Sequence, residues 1–322
     1  MKRIYNKVYH AAMAALMLTA ATACTSDNEP LQNDDTPQTT PLTTVTATQQ
    51  GADTQTRTNY SDGNETIGVT WAGNDKIYIG PAIEHTTQGG VDATITDGLP
   101  TTYKTYTIES GQNSKNATFK VAGEALEVPS GTQYIYAFYG DKSKMEHDTD
   151  GCVSFALTGQ RQTKNSDMTH IAPYDFMYAK AEYQAGQTPN FDFQHVASLL
   201  KFDLTLPSNG ITVKQLELKT NAGKYIVVLN TKGSYNFNSS GSFSSATAIT
   251  LKLGEGENGF TCDTKKLTAY MMAFVYKSSS YTLDITVTDS DNKTYSANIG
   301  NPNDSEAGKF YTITATLTED TN

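Results

Sequence analysis

Apolar and polar residues alternate in short runs along most of the chain, and turn-forming residues separate these runs. Clear examples are the aromatic segment Gln133–Tyr139 and the segments Ile211–Lys219 and Tyr281–Thr288. Alternation with a period of two places apolar side chains on one face of a β-strand. Long segments with the 3.6-residue period of a helix are absent from the sequence. The pattern therefore predicts an all-β protein whose strands follow one another at β-sandwich spacing.

Gly, Pro and Asn are concentrated in residues 182–190, which interrupt the series of strands. We therefore expect two β-sandwiches in tandem, divided near residue 187. The N-terminal sandwich would comprise residues 42–187 and the C-terminal sandwich residues 188–322. Directly after the division, Phe191–Leu204 alternates at both ends, while its middle is also compatible with a short helix.

An early β-hairpin is predicted from two alternating segments around a turn. Thr66–Trp71 alternates, Ala72–Asp75 has turn residues, and Lys76–Ile79 alternates again. Two such runs joined by a short turn are typical of antiparallel neighbours. We therefore expect the first and last of these segments to pair.

The first 23 residues have the features of a signal peptide. Three basic residues precede the apolar run Ala11–Thr22, which is too short to span a bilayer. The small residues before Cys24 resemble a bacterial lipobox, which predicts cleavage after Ala23 and lipidation of Cys24. The alternative is an ordinary signal peptide cut after Ala23, with a cysteine there by chance. Acyl chains on Cys24 would hold the protein on a membrane outside the cytoplasm.

Residues 24–41 are polar and acidic and contain three prolines, which predicts a flexible stem. Residues 42–50 are uncharged and rich in β-branched side chains, which predicts a strand. Arg57 is the first basic residue after Cys24 and lies in a polar stretch. It is therefore a candidate cleavage site for a trypsin-like protease, and the alternative is an ordinary surface arginine.

Charge and cysteine usage narrow the classes of partner. The formal net charge is −10, and the leader carries three positive charges, so the rest of the chain is near −13. A chain this acidic is repelled by nucleic acids and by anionic lipid surfaces. Cys152 and Cys262 lie far apart in the sequence, so we expect two buried free thiols, with a disulfide as the alternative.

No catalytic or metal-binding motif is recognisable in the sequence, since the histidines and cysteines lack zinc-site spacing. His195 lies in an apolar run, which indicates a packed, hydrogen-bonded side chain. Asp148–Gly151 resembles the start of a calcium loop but is typical of a hairpin turn. Gly254–Gly259 indicates a plain loop, because its two glutamates would repel a phosphate. We therefore expect neither an enzyme nor a bound metal or cofactor.

A series of short motifs resembles the fimbrillins of the Bacteroidales. Each motif is degenerate, and their order and spacing over residues 56–317 carry the resemblance. The motifs are Thr56–Thr58 followed by Val69–Ile77, the tyrosine-rich Tyr134–Tyr139, Asp175–Ala179, Phe193–Phe202 and Ala307–Ile313.

The resemblance implies a pair of transthyretin-like β-sandwiches in a precursor exported as a surface-exposed lipoprotein of the outer membrane. In the family, an arginine-specific protease removes an N-terminal strand, and a donor strand from another subunit fills the groove. The resemblance thus assigns lipidation to Cys24 and cleavage to Arg57, with residues 42–50 in the departing strand. Phe310–Leu317 is either a donor strand or the last strand of its own sandwich. The role as stalk, tip or anchor stays open.

Two hypotheses of function follow. The first is a fimbrial structural subunit, assembled with other fimbrial subunits by donor-strand exchange and supporting cell adhesion. The second is an outer-membrane surface lipoprotein that binds a glycan or a host protein and never polymerises. The abundance of tyrosine is compatible with a sugar-binding face, although tyrosine is also common in strands.

Overall fold

The alternating segments form strands throughout the described part of the chain, which confirms the all-β prediction. The structure is a computed structural model. It describes residues 38–49, 70–81, 96–97, 103–147, 153–220, 226–231, 242–246, 248–273, 282–300 and 307–321. All of them belong to one unit that comprises residues 37–322.

Short strands make up the described fold, together with two single-turn 3-10 helices at Lys142–Lys144 and Ala172–Tyr174. The strands before residue 196 are β1 (Thr39–Leu42), β2 (Thr44–Gln49), β3 (Lys76–Pro81), β4 (Thr96–Asp97), β5 (Lys104–Ser110), β6 (Asn116–Val121), β7 (Leu126–Pro129), β8 (Tyr134–Tyr139), β9 (Met145–His147), β10 (Val153–Phe155), β11 (Arg161–Gln162), β12 (Met177–Glu182) and β13 (Asn190–His195). The later strands are β14 (Ser198–Thr205), β15 (Ile211–Thr220), β16 (Ile226–Thr231), β17 (Ser242–Ala246), β18 (Ala248–Leu253), β19 (Phe260–Cys262), β20 (Lys266–Ala273), β21 (Leu283–Asp289), β22 (Thr294–Asn298), β23 (Phe310–Thr316) and β24 (Thr318–Glu319).

Seven strands close into a barrel in the order β12-β13-β2-β6-β5-β3-β8. Neighbouring strands are antiparallel except β2 and β13, which run parallel. Because side chains alternate between the two faces of a strand, every second residue points into the interior. Trp71 is fully buried there. Its indole contacts Phe119, Tyr139 and Phe193 edge to face, with ring centroids 4.9, 5.6 and 5.4 Å away.

The predicted hairpin does not form in its described part, and residues 66–69 lie outside the described residues. β3 forms as expected, but it pairs with β5 and β8. Trp71 belongs to no strand and bonds to the turn before β6 instead. Its N–H donates to the carbonyl of Ser114 at 3.0 Å, and its own carbonyl accepts from Asn113 at 2.7 Å. Burial of the indole in the barrel thus overrides the local pattern.

Beyond β13 the chain forms a sandwich of two sheets. The smaller sheet has the order β20-β14-β23, and the larger has the order β11-β18-β15-β21-β22-β24, with β19 also paired to β15. Both sheets contribute to one hydrophobic core, for example through Phe202, Leu216 and Ile285. The same core includes Tyr136 and Phe138 from the outer face of the barrel strand β8. β8 is therefore buried on both faces, as its uninterrupted run of apolar and aromatic residues indicates.

Only Val196 and Ala197 separate the barrel strand β13 from the sandwich strand β14. They form a bend, so the short helix considered for this region is absent. β13 lies beyond the division predicted near residue 187, yet it pairs with β2 and β12 in the barrel. The division into two domains at that point stays a prediction.

Two smaller sheets complete the described fold. β1 pairs with β7 in an antiparallel ribbon beside the barrel strands. The other sheet has the order β17-β16-β10-β9-β4 and joins segments from both halves of the chain. Its strand β10 confirms the strand expected after the turn at Asp148–Gly151, while the turn itself lies outside the described residues.

Residues 160–170, here called the capping segment, cover the edge of β20 with side chains instead of a strand. The amide of Gln160 donates to the carbonyl of Met272 and accepts from its N–H, both at 2.7 Å. The amide of Gln162 donates to the carbonyl of Thr268 and accepts from the N–H of Tyr270, both at 2.9 Å. The amide of Asn165 adds a further pair of bonds to Lys266 and Thr268. Within the same segment, β11 pairs in parallel with β18 of the opposite sheet. The capping segment therefore joins both sheets along one side of the sandwich.

Candidate functional site

The most N-terminal part of the described chain completes the barrel. Residues 38–49, here called the leading ribbon, contain β1 and β2. β2 lies between β6, to which it is antiparallel, and β13, to which it is parallel. Three further backbone bonds extend these ladders: Ser130 N–H to Gln38 O at 2.8 Å, Val121 N–H to Thr43 O at 2.9 Å, and Gln49 N–H to Lys115 O at 3.1 Å. Main-chain hydrogen bonds therefore hold the ribbon over its whole length.

The side chains of the ribbon alternate, as residues 42–50 predict. Leu42, Val45, Ala47 and Gln49 form an inner row whose exposed fractions are 5%, 0%, 1% and 2%. The three threonines of β2 between them, Thr44, Thr46 and Thr48, are half-buried on the outer face. The predicted strand is therefore confirmed for its described residues. β1 begins at Thr39, so the last residues of the predicted stem already belong to a strand, and its earlier residues lie outside the described part of the chain.

The inner row rests on an apolar groove. The strand register sets aromatic or small residues beside each of its members in β2: Phe119 beside Val45, Ala117 and Phe191 beside Ala47, and Phe193 beside Gln49. All four of these groove residues are buried. Burial of one large apolar side chain contributes about 1.5–3 kcal/mol, so departure of the ribbon would expose a surface of high free energy.

A buried phenol fixes the ribbon at β1. The hydroxyl of Tyr106 donates to the carbonyl of Leu42 at 2.6 Å. Burial raises the pKa of Tyr106, a bond from the backbone of Leu126 opposes this, and Tyr183 raises it further. The phenol therefore stays protonated and keeps its donor at any physiological pH.

One member of the inner row is polar. Both side-chain atoms of the Gln49 amide are buried, and neither has a hydrogen-bond partner among the described residues. The nearby carbonyl of Lys115 already accepts the N–H of Gln49 and, at 2.8 Å, the indole N–H of Trp71. An unsatisfied buried polar group costs about 1–3 kcal/mol. The ribbon thus combines apolar packing with one unfavourable position.

The residues predicted for processing lie outside the described residues. Ala23 and Cys24, the expected signal cleavage and lipidation positions, precede the ribbon, and Arg57 follows its last residue by eight positions. Their assignments stay predictions. Their order along the chain means that cleavage after Arg57 would separate the leading ribbon covalently from the rest of the barrel.

His195 is packed and hydrogen-bonded, as predicted. Its Nδ1 lies 2.6 Å from Oδ1 of Asp175, and both side chains are buried. His170 lies in the capping segment, where its Nε2 contacts the carbonyl of Tyr270 at 2.9 Å. Burial lowers the pKa of His170, and its bond to Tyr270 and the charge of Asp167 only partly oppose this. Neither partner was identified from the sequence, because each lies 20 or more residues away.

The described residues contain no group of three or more His, Cys, Asp or Glu side chains that could hold a metal ion. Cys262 is a buried free thiol, as expected, and Cys152 lies outside the described part of the chain. Burial, followed by the charge of Asp263, raises the pKa of Cys262 to about 11, which makes the thiol unreactive. Within the described ranges no helix is long and apolar enough to cross a membrane.

The loop Gly254–Gly259 is a plain loop, as expected, with its carbonyls engaged within the chain. The guanidinium of Arg161 donates to Gly254 O at 3.0 Å and also to Gly256 O. It lies 3.7 Å from the carboxylate of Glu257.

The chain is similar to solved structures of cell adhesion and fimbrial proteins from Bacteroides and Porphyromonas species. A candidate cell adhesion protein from Bacteroides ovatus shares 16% identity at a TM-score of 0.48, over 88% of this chain and 97% of its own. One from Bacteroides uniformis shares 16% identity at a TM-score of 0.45, over 90% and 98%. The fimbrial anchor protein Mfa2 from Porphyromonas gingivalis shares 11% identity at 0.32, over 76% and 77%. Similarity at this level does not assign a function, and no curated protein matches the chain.

The family assignment comes from the sequence. The sequence model of the fimbrillin-like family matches residues 54–322, which is most of the chain. The match begins after the leading ribbon and includes Arg57. It indicates a fimbrial or adhesin role at the cell surface, association with other fimbrial subunits, and a structural rather than an enzymatic protein. The chain therefore belongs to the fimbrillin-like family.

Proposed function

We propose that this protein is a fimbrial subunit that is exported as an outer-membrane lipoprotein and polymerises by exchanging its leading ribbon for a strand of another subunit. Cys24 carries the lipid after cleavage at Ala23, and Arg57 is the site at which the ribbon is cut free. The observation that carries the proposal is the leading ribbon itself, which fills an apolar groove and precedes Arg57 by only eight residues.

Loss of the ribbon would leave two kinds of unsatisfied surface. The facing edges of β6 and β13 would lose their hydrogen-bond partners, and the aromatic groove residues Phe119, Phe191 and Phe193 would meet water. Addition of a strand satisfies both at once, since its backbone completes the ladders and its alternate side chains fill the groove. A barrel opened in this way favours capture of a strand from outside.

The C-terminal strand has the sequence pattern that such a groove accepts. Thr312–Leu317 reads TITATL and Thr44–Gln49 reads TVTATQ, which are identical at four of six positions. The structure places β23 in its own sandwich, which was one of the two expectations for this segment. β23 pairs with β14 on one side, and no strand among the described residues pairs with its other side. A donor strand would therefore give up hydrogen bonds to one neighbouring strand, β14, and gain hydrogen bonds to two strands, one on each side of the groove.

The N-terminus of surface material tests the proposal. Fibres sheared from cells should begin at Thr58 and lack the leading ribbon, as read by Edman sequencing and intact-mass measurement. The matched variant Arg57→Lys keeps the charge but resists an arginine-specific protease, and it should remain at acylated Cys24 without entering fibres. Fibres that retain residues 38–49, or material that always begins at Cys24, would favour a surface lipoprotein that binds a glycan or host protein without polymerising.

A further inference from the structure

The inner row of the leading ribbon contains one buried polar side chain, which destabilises the packing of the ribbon in its groove. Gln49 is 2% exposed, and its amide finds no partner among the described residues, whereas Val45 and Ala47 are apolar. Its neighbour across the parallel pair is Phe193. Lys115 accepts two N–H groups through its carbonyl, and a carbonyl oxygen has two lone pairs, so this acceptor is fully used. The position is therefore built for an apolar side chain but holds an amide.

We propose that Gln49 sets the direction of strand exchange, because it makes the resident ribbon a weaker occupant of the groove than an incoming strand with an apolar residue at that position. The inference rests on the proposed function and adds the specificity-determining position to it. The strand that wins is the one whose side chain leaves no buried polar atom unsatisfied.

The chain itself contains a strand that meets this requirement. In the aligned segment Thr312–Leu317, Ile313 takes the place of Val45 and Leu317 takes the place of Gln49. The other four positions are unchanged. Both differences therefore add apolar volume or remove the amide, and neither weakens the alternation. A second copy of this chain is thus an occupant of the right chemistry.

The first test measures the resident ribbon in the intact protein. Gln49→Met keeps the length of the side chain and removes its polar atoms, so the thermal midpoint of unfolding should rise by roughly 3–9 °C. The control Thr44→Val changes the outer face of the same strand and should shift the midpoint by about 1 °C at most. An unchanged or lower midpoint for Gln49→Met would overturn the inference, whether or not the wild type forms fibres.

The second test measures exchange after cleavage by an arginine-specific protease. A labelled peptide with the sequence Phe310–Leu317 should replace the ribbon in the wild type, and about tenfold more slowly in Gln49→Met. The same peptide with Leu317→Gln should replace the ribbon of the cleaved wild type more slowly than the unaltered peptide does. This comparison leaves the folded protein unchanged. Equal exchange by the Phe310–Leu317 peptide and its Leu317→Gln variant would overturn the role of Gln49 but leave the proposed function standing. If the cleaved wild type keeps its ribbon and takes up neither peptide, the proposed function fails, and the inference fails with it.

Discussion

The leading strand β2 and the C-terminal strand β23 have nearly the same sequence but occupy different positions in their sheets. Each pairs in parallel with one of two consecutive strands, β2 with β13 and β23 with β14. β2 has a second partner in β6, whereas β23 ends its sheet within the described residues. A local pattern thus specifies which face of a strand is apolar, and the sheet around it decides how firmly the strand is held.

The difference in pairing has an energetic consequence. A strand of six residues makes about six backbone bonds with each neighbour, since half of its N–H and C=O groups point to each side, and each bond contributes about 1 kcal/mol net. Transfer from an edge to a two-sided groove therefore gains about 6 kcal/mol before side chains are considered. This gain, together with the substitution of Leu317 for Gln49, indicates why an exchanged strand would persist.

The largest effect should come from a charge placed in each strand. Ala47 is buried and Ala315 is half-buried, at matching positions of the two segments. Ala47→Asp should lower the free energy of unfolding by about 3–5 kcal/mol, because a buried charge has no partner there. Ala315→Asp should lower it by about 1 kcal/mol. Urea unfolding of both variants measures the contrast, and equal losses would mean that the two strands are held alike.

A smaller effect should come from the phenol that fixes β1. Tyr106→Phe removes the hydrogen bond from the phenol to the carbonyl of Leu42, which should weaken the hold on the ribbon by about 1 kcal/mol. Loss of the ribbon after cleavage, followed by mass spectrometry, should be correspondingly faster. Tyr183→Phe is the control, since Tyr183 is buried in the same core and donates to no residue of the ribbon. An equal acceleration in the control would show that any lost hydroxyl in this core suffices.

The smallest effect concerns pH and should leave the leading ribbon untouched. Burial holds the pKa of His170 below its ordinary value of 6.5. Between the lowered pKa of the folded state and the ordinary pKa of the unfolded chain, the unfolded chain binds more protons than the folded chain. Stability therefore falls as the pH drops below about 6.5. The loss should continue until the pH reaches the lower, folded pKa of His170. His170→Gln should flatten this part of the stability curve, measured by urea unfolding from pH 7 to 5.5.

Retention of the ribbon after cleavage is the internal control for the urea-unfolding measurements of wild type and His170→Gln. His170 contacts β20 in the sandwich, far along the chain from the ribbon. Ribbon retention should therefore be the same at pH 7 and pH 5.5 in the wild type and in His170→Gln. If retention of the ribbon changed together with stability, protonation of His170 at β20 would not be independent of the leading ribbon.

The alternation of residues was sufficient to predict the class of fold and the leading strand, because it reports directly which side chains can share a face. It was not sufficient to predict pairing. Trp71 lies in a segment that alternates, but the large indole is more stable inside the barrel than in a hairpin. The parallel pairing of β2 with β13 joins residues more than 140 positions apart, and alternation contains no information about such a partner.

Polar partners were also beyond prediction. His195 was expected to be hydrogen-bonded, but its partner Asp175 lies 20 residues earlier, directly after the 3-10 helix Ala172–Tyr174, and only the fold brings the two together. Alternation places Gln49 on the same face as Val45 and Ala47, but the lack of a partner for its amide among the described residues is visible only in the structure.

The capping segment has a consequence for contacts between neighbouring copies of this chain. A side-chain amide carries the same donor and acceptor as a peptide bond, so Gln160, Gln162 and Asn165 imitate a neighbouring strand without adding one. An extended peptide that approaches β20 finds these hydrogen-bonding groups already taken. Edge-to-edge strand pairing between adjacent copies is thereby discouraged along this flank of the sheet.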